Sequence, residues 1–293
     1  MIAVRGLTMQ YRSGKGIFDL NFTIGEGEAF GYLGPNGAGK TTTIRHLMGF
    51  MKAGQGSCAI EGRNCWDKAA EIQRRLGYIP GEIAFLGGMK GNEFLSLLSN
   101  MRGTKDDLRQ KRLAERFEID INFPIRKMSK GMKQKIGVIA AFMHDPAVYI
   151  LDEPTNGLDP LMQKRFVELV LEEKRRGKTI FMSSHMFDEI ERTCDRAGIV
   201  RSGRLVAVED MALLKKAQKR KYIVTLGSAA DASVLKSKGL QVNDMGENRM
   251  EITVEGRVDD FIKQLSFVTV ENLEVGSLSL EEVFMQYYGQ EGK

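Results

Sequence analysis

The octet "GPNGAGKT", Gly34 to Thr41, constrains this chain more than any other stretch. It fits GxxxxGK[ST] and sits between an apolar segment, "AFGYLG", that reads as a strand and "KTTTIRHLMGF", which reads as a helix. That strand–loop–helix setting is the one the pattern requires. Glycines let the backbone wrap a polyphosphate so that successive N–H groups point at it, and the helix N-terminus adds a favourable dipole. Lys40 is placed to reach the β and γ phosphates, and Thr41 to ligate Mg²⁺. The expected nucleotide contacts are therefore Gly34, Pro35, Asn36, Gly37, Ala38, Gly39, Lys40, Thr41 and Thr42.

A loop of this kind needs a parallel sheet behind it, and the chain supplies the pattern for one. "AVYILD" (147 to 152) precedes a helix beginning near Leu161, and "KTIFMSS" (178 to 184) leads into "HMFDEIERTC". Strands alternating with helices imply a mostly parallel sheet with covered faces. "IAVRGLTMQY" and "LNFTIGEGEAF" alternate with no helix between them, so an antiparallel β layer is expected ahead of that core. From about 91 to 144, "NEFLSLLSNM", "KDDLRQKRLAERF" and "KQKIGVIAAFM" carry apolar residues at helical spacing and read as a helical insert.

The charge-dense "LLKKAQKRK" (213 to 221) separates this body from a tail of different rhythm. The tail reads strand "YIVTL", helix "DASVLKSKG", strand "RMEITV", helix "VDDFIKQL", strand "FVTVENLEV" and a closing amphipathic helix "SLEEVFMQYYG". The organisation expected is a body over 1–208, a charged linker over 209–221 and a small α+β domain over 222–293.

"VYILDEP" ends an apolar strand in two acids, Asp152 and Glu153, at the sheet edge where ligands gather in parallel folds. Buried carboxylates are costly unless paired or bound to a metal. Asp152 is the candidate metal aspartate, alongside Thr41, and Glu153 the candidate base that polarises a water against the γ phosphate.

With the phosphate loop and the acidic strand end in place, the chain resembles the ATP-binding cassette (ABC) ATPase family over about residues 1–208. The resemblance implies an α/β P-loop NTPase core with an antiparallel β layer and a helical subdomain. In that family a signature, usually Leu-Ser-Gly-Gly-Gln, precedes a helix and then the acidic strand; "MSKGM", Met128 to Met132, stands in its place. Taken alone, Ser129 is a helix N-cap. In the family the corresponding serine and glycine, here Ser129 and Gly131, close on the ATP of a second subunit. "TNGLDP" supplies Asp159 at the family's interface aspartate, "FMSSHM" places His185 at its switch histidine, and Tyr11 lies where an aromatic stacks on adenine. The resemblance therefore implies Lys40, Glu153 and His185 as catalytic groups, with ATP and Mg²⁺ as cofactors.

Two positions depart from the family pattern. "GYIPGE" offers Gly81 and then Glu82 where a glutamine is usual, so either Glu82 approaches the metal or Gly81 leaves the position to water. Lys130 and Met132 depart from the commonest signature. "YIPGE" and "SKGMKQK" resemble the branch of bacterial cassettes that serve ABC-2 type permeases, often in drug or antibiotic export, and "LEEVFMQYYG" resembles the closing helix of the small domain such cassettes carry.

Composition narrows the alternatives. The net charge of +5 permits an anionic partner without requiring one. Cys58, Cys65 and Cys194 form no CxxC pair, which points to reduced thiols in a cytosol. "MIAVRGLTMQYR" has no charged segment leading into an apolar one, so no signal peptide is expected, and "VIAAFM" is far short of the roughly 20 residues a membrane span needs. A chromosome-maintenance cassette needs a long coiled coil between phosphate loop and signature, but only 88 residues lie between Lys40 and Ser129. Ribosome-binding factors carry two cassettes, whereas each motif occurs once here. A non-hydrolysing regulatory module is disfavoured by Lys40, Glu153 and His185. The expectation is a transporter ATPase at the cytoplasmic face of the membrane, with a second ATPase subunit, homodimeric or homologous, and a separate transmembrane permease as partners, and no nucleic acid.

Overall fold

The computed structural model describes residues 1–103, 107–217, 220–237, 240–254 and 258–277. Two compact units divide the chain, Met1–Met211 and Ala212–Lys293.

The first unit begins with β1 (Ile2–Gln10) and β2 (Gly16–Ile24), paired antiparallel, followed by β3 (Ala29–Leu33), the phosphate loop and α1 (Lys40–Leu47). Next come β4 (Gln55–Ile60), β5 (Arg63–Asn64), α2 (Ala69–Arg75) and β6 (Leu76–Ile79). The helical segment holds α3 (Gly91–Arg102), α4 (Asp107–Arg116), a 3-10 turn at Ile125–Lys127 and α5 (Lys130–Phe142). Then β7 (Val148–Asp152), α6 (Pro160–Arg175), β8 (Thr179–Ser184), α7 (Phe187–Thr193), β9 (Arg196–Arg201) and β10 (Arg204–Asp210) complete it. The expected helix "HMFDEIERTC" thus starts at Phe187, two residues late, leaving His185 on the bend after β8.

Among the described residues, one sheet runs in the order β2-β1-β4-β5 and is antiparallel throughout, while the other runs β10-β9-β3-β8-β7-β6. In the second sheet the neighbours from β9 to β6 are parallel, and β10 is an antiparallel edge. β3, β7 and β8 are buried at every position, which explains their unbroken apolar runs, and the antiparallel layer and α1 share one core cluster with Phe30, Ile150 and Phe181 of these strands. Alternation in β2 instead buries Ile17, Leu20, Phe22 and Ile24 and leaves the residues between them more open. Phe22 of that layer stacks on Phe30 at 5.5 Å and on Phe181 at 6.0 Å, so aromatic side chains join the two sheets behind the phosphate loop.

The helical segment is tied to the core by buried charge. Glu173 of α6, only 4% exposed, accepts from Arg109 of α4 at 2.7 Å and from the Tyr149 hydroxyl of β7 at 3.1 Å, and Arg176 pairs with it at 2.9 Å. A buried carboxylate with three donors is satisfied where an unpaired one would not be tolerated.

In the second unit, α8 (Met211–Ala217) leads to β11 (Arg220–Leu226), α9 (Ala229–Ser237), β12 (Gln241–Gly246), β13 (Arg249–Val254), α10 (Val258–Leu265) and β14 (Val270–Ser277). Much of "LLKKAQKRK" is therefore regular structure, the end of a helix and the start of a strand. The sheet order is β12-β13-β11-β14. Tyr222, Val224 and Leu226 alternate inward beside Met250, Ile252 and Val254, and Phe261 of α10 meets Tyr222 with ring centroids 4.7 Å apart. β12 was not expected. It pairs with β13 through a hairpin whose turn residues, Glu247 and Asn248, both have positive φ, the conformation of a two-residue type I′ connection. The expected closing helix "SLEEVFMQYYG" lies outside the described residues.

Candidate active site

The site is assembled where β3, β7 and β8 end on the same edge of the parallel sheet. From β3 the chain enters the phosphate loop and then α1, whose N-cap, Gly39, has φ 109° and ψ 2°. A side chain there would be strained and would meet the Ile17 Cγ2 atom at 2.9 Å, so glycine is required. No side chain caps the first turn of α1, and no acidic residue lies in it. Its N–H groups and positive dipole end are therefore open to an anion.

Lys40 is 4% exposed. Its ammonium donates to the Gly34 carbonyl oxygen at 2.6 Å and the Pro35 oxygen at 3.2 Å, and it pairs with Glu153 Oε1 at 3.2 Å. His185 Nδ1 lies 3.3 Å from the other oxygen, Glu153 Oε2. One carboxylate thus joins the lysine of the phosphate loop to the histidine beyond β8.

Glu153 is held in an unusual conformation, φ 46°, which residues bearing a Cβ seldom adopt. Its backbone N–H donates to both the carbonyl and the hydroxyl oxygen of Ser183, each at 3.1 Å. Parallel pairing of β7 with β8 sets Asp152 opposite Ser183, and the Ser183 hydroxyl donates to Asp152 Oδ1 at 2.5 Å. Strain of this sort persists where the surroundings impose it, and it concentrates at functional sites.

Asp152 is fully buried and its Oδ2 has no hydrogen-bond partner of good geometry. Burial raises its pKa, against the pull of the Ser183 and Thr41 hydroxyls. Gly81 lies over this oxygen: a Cβ built on it would sit 3.1 Å from Asp152 Oδ2. An orphaned buried carboxylate oxygen beside a threonine hydroxyl suits a hard cation that takes oxygen ligands. Among the described residues no group of three or more His, Cys, Asp or Glu could hold a metal. The fit is to a cation such as Mg²⁺, which draws most of its ligands from phosphate and water rather than from a protein cage.

Two cavities open on this cluster. One, of about 290 Å³, is lined by residues that include Tyr11, Lys15, Asn36, Gly37, Lys40, Thr41, Thr42 and Glu153. The Tyr11 hydroxyl lies 3.4 Å from the Thr42 hydroxyl, so the half-exposed ring borders the phosphate loop. The other, of about 460 Å³, includes Thr41, Gly81, Glu82, Lys130, Lys133, Asp152 and Glu153 in its lining. Gly81 and Glu82 therefore both face the acidic pair. Lys133, Ser183 and Gln134 escaped sequence reasoning, in which Lys130 figures only as a departure from the signature, with no role for its side chain. Lys133 lacks a motif of its own, and Ser183 is 31 residues from Asp152 and meets it only through strand pairing.

Ser129, Gly131 and Asp159 do not join this cluster. Ser129 caps α5, its hydroxyl accepting from the Met132 N–H at 3.2 Å, and Asp159 caps α6 by accepting from Met162 at 3.0 Å; both are exposed. They connect to the acidic pair through the loop after β7. Lys130 donates to Asn156 at 3.0 Å and the buried Gln134 amide to the Pro154 carbonyl at 2.7 Å. A Cβ on Gly131 would meet the Gly157 carbonyl at 2.8 Å, so this close approach of two backbones excludes a side chain.

Comparison with known proteins gives the same frame. Residues 17–156 match the family profile described as ABC transporter. The Bacitracin transport ATP-binding protein BcrA of Bacillus licheniformis is 37% identical over 83% of this chain and 81% of its own length. A fluoroquinolones export ATP-binding protein of Mycobacterium tuberculosis is 30% identical over 99% of this chain and 94% of its own. A solved ATP-binding subunit of an ABC transporter, 31% identical, superposes with a TM-score of 0.68 over 74% of this chain and 92% of that one. A loop built for phosphate, an acidic strand end wired to a histidine, and these likenesses have one reading: the chain belongs to the ABC transporter family, as an ATP-binding subunit with ATPase activity.

Proposed function

We propose that this subunit hydrolyses ATP on the edge formed by β3, β7 and β8, and that hydrolysis drives a separate transmembrane permease that exports its cargo. The observation that carries the reading is the continuous contact Lys40–Glu153–His185 at the mouth of the phosphate loop. Lys40 binds the β and γ phosphates, and Tyr11 takes the adenine. Glu153 orients and deprotonates the attacking water as general base, and His185, half-exposed beside it, contacts the γ phosphate. Thr41 and Asp152 hold Mg²⁺, which neutralises charge on the phosphates when bound. Glu153 carries the proton problem, and its strained backbone, held from Ser183, aims the carboxylate.

Ser129, Gly131 and Asp159 complete the site of a second ATPase subunit, so that ATP is held between two chains. Residues 1–208 form the nucleotide-binding domain and 222–293 the small C-terminal domain, and the charged segment 209–221 that joins them includes α8. The relative named for fluoroquinolone export supports the export direction. Among the described residues no helix is long and apolar enough to cross a membrane. In this reading the permease is another polypeptide, and the subunit works at the cytoplasmic face of the membrane.

Steady-state ATPase kinetics of Glu153→Gln test the proposal. The amide keeps the shape and removes the base, so turnover should fall about 100-fold or more while nucleotide affinity holds. Turnover at the wild-type rate would show that Glu153 is not the base.

A further inference from the structure

Glu189 is a buried acid that the reaction described above does not use. It lies in the first turn of α7, four residues past His185, and is 6% exposed. Its Oε2 accepts from the Ser184 hydroxyl at 2.8 Å, and that same hydroxyl oxygen accepts the Met186 N–H at 2.9 Å. Ser184 and Met186 are the residues on either side of His185. Its Oε1 has no partner of good geometry, while Ser183, the residue before Ser184, takes the Glu153 N–H at 3.1 Å through both its carbonyl and its hydroxyl oxygen. Burial pushes the Glu189 pKa up to about 7, opposed by the Ser184 and Thr155 hydroxyls and helped by the nearby charge of Glu153.

We propose that Glu189 is a positioning residue for hydrolysis: by holding Ser184 its carboxyl fixes the turn that carries His185 next to Ser183, which holds the Glu153 N–H, and so fixes the 3.3 Å contact between the His185 and Glu153 side chains. The inference rests on the catalytic reading of Glu153 and His185 given above. A helix cap accounts for part of the arrangement, because Ser184 relays the N-cap N–H of α7 to the Glu189 carboxyl much as a capping box does. A cap does not account for the choice of relay: the hydroxyl between the helix N–H and the carboxyl belongs to Ser184, which stands between Ser183, the residue that holds Glu153, and His185. A link between the two catalytic turns does.

The test combines Glu189→Ala, Glu189→Gln and Ser184→Ala, each alone and in a His185→Ala background, with Glu153→Gln as a parallel control. ATP turnover and fluorescent-nucleotide affinity are measured for every variant. Glu189→Ala should lower kcat about tenfold or more with nucleotide affinity within about twofold, because a small misplacement of catalytic groups costs rate rather than binding. Glu189→Gln retains the acceptor for Ser184 and should stay within about threefold of wild type. With His185 already removed, Glu189→Ala should cost less than about twofold, since its effect passes through the histidine. Unchanged kcat in Glu189→Ala, or the same fold-loss in both backgrounds, would overturn the proposal. If Glu189→Ala does not fold, Ser184→Ala cuts the same link and is judged by the same criteria. Wild-type turnover in Glu153→Gln would instead remove the reading of the site itself, an outcome distinct from any obtained at Glu189.

Discussion

Two helices of the first unit begin on short glycine-bearing motifs and begin in different ways. α1 starts from a left-handed glycine with no side-chain cap, its lysine buried against the loop carbonyls and Glu153. α5 starts from Ser129 in an extended conformation, with the hydroxyl already engaged by the Met132 N–H, and its first turn is partly exposed. Neither has an acidic residue in its first turn, so both present the positive end of a helix dipole uncompensated. The difference is one of completeness. The α1 terminus has a cavity, a buried cation and an acidic pair around it. The α5 terminus has a capping serine, a glycine with no room for a side chain, and two lysines on the rim of the larger cavity. On the proposed reading the first binds ATP within its own chain and the second acts only when another chain brings its ATP to it.

Removing the cation from the complete terminus should give the larger effect. Lys40→Ala deletes a charge-assisted donor, and such bonds contribute about 1.5–3 kcal/mol, so affinity for a fluorescent ATP analogue should fall roughly 10- to 100-fold. Unchanged affinity would break the comparison, since α1 would then be no better equipped than α5. The cap of the incomplete terminus should matter less. Ser129→Ala removes one N-cap hydrogen bond and should cost about 1 kcal/mol of stability in a denaturant titration, with nucleotide affinity within about twofold of wild type. A loss of nucleotide affinity comparable with that of Lys40→Ala would place Ser129 at its own chain's nucleotide.

Which parts of this molecule can be read from the sequence depends on how far apart the interacting residues lie. The phosphate loop, the acid pair ending β7 and the inward alternation of β11 and β13 are all written over a few neighbouring residues, where local periodicity and turn chemistry suffice. The helical segment shows in its spacing. What stays hidden depends on pairing between distant strands. Ser183 holds both Asp152 and Glu153, but only the parallel register of β7 and β8 brings it there. Gly81 looks like a missing glutamine until it is seen against Asp152 Oδ2. Glu189 reads as one more charge in an amphipathic helix, because burial of a single helix face is decided by what packs on it. "LLKKAQKRK" looks like a connector because its charge masks the end of α8 and the beginning of β11. β12, from Gln241 to Gly246, carries one apolar position that is even partly buried, Val242, and so gives almost no alternation to detect.

The claim that α5 serves a second chain is tested most directly by Ser129→Glu, made in a Glu153→Gln background that slows hydrolysis. The introduced carboxylate would face the γ phosphate of the other subunit in a partly desolvated interface and repel it. Nucleotide titration and sedimentation velocity with ATP are run on the same protein. The prediction is that nucleotide affinity of the isolated chain stays within about twofold while ATP-dependent dimerisation is lost. Equal losses of affinity and dimerisation would put Ser129 in its own chain's pocket, and dimerisation that survives the substitution would show that the start of α5 meets no nucleotide at all.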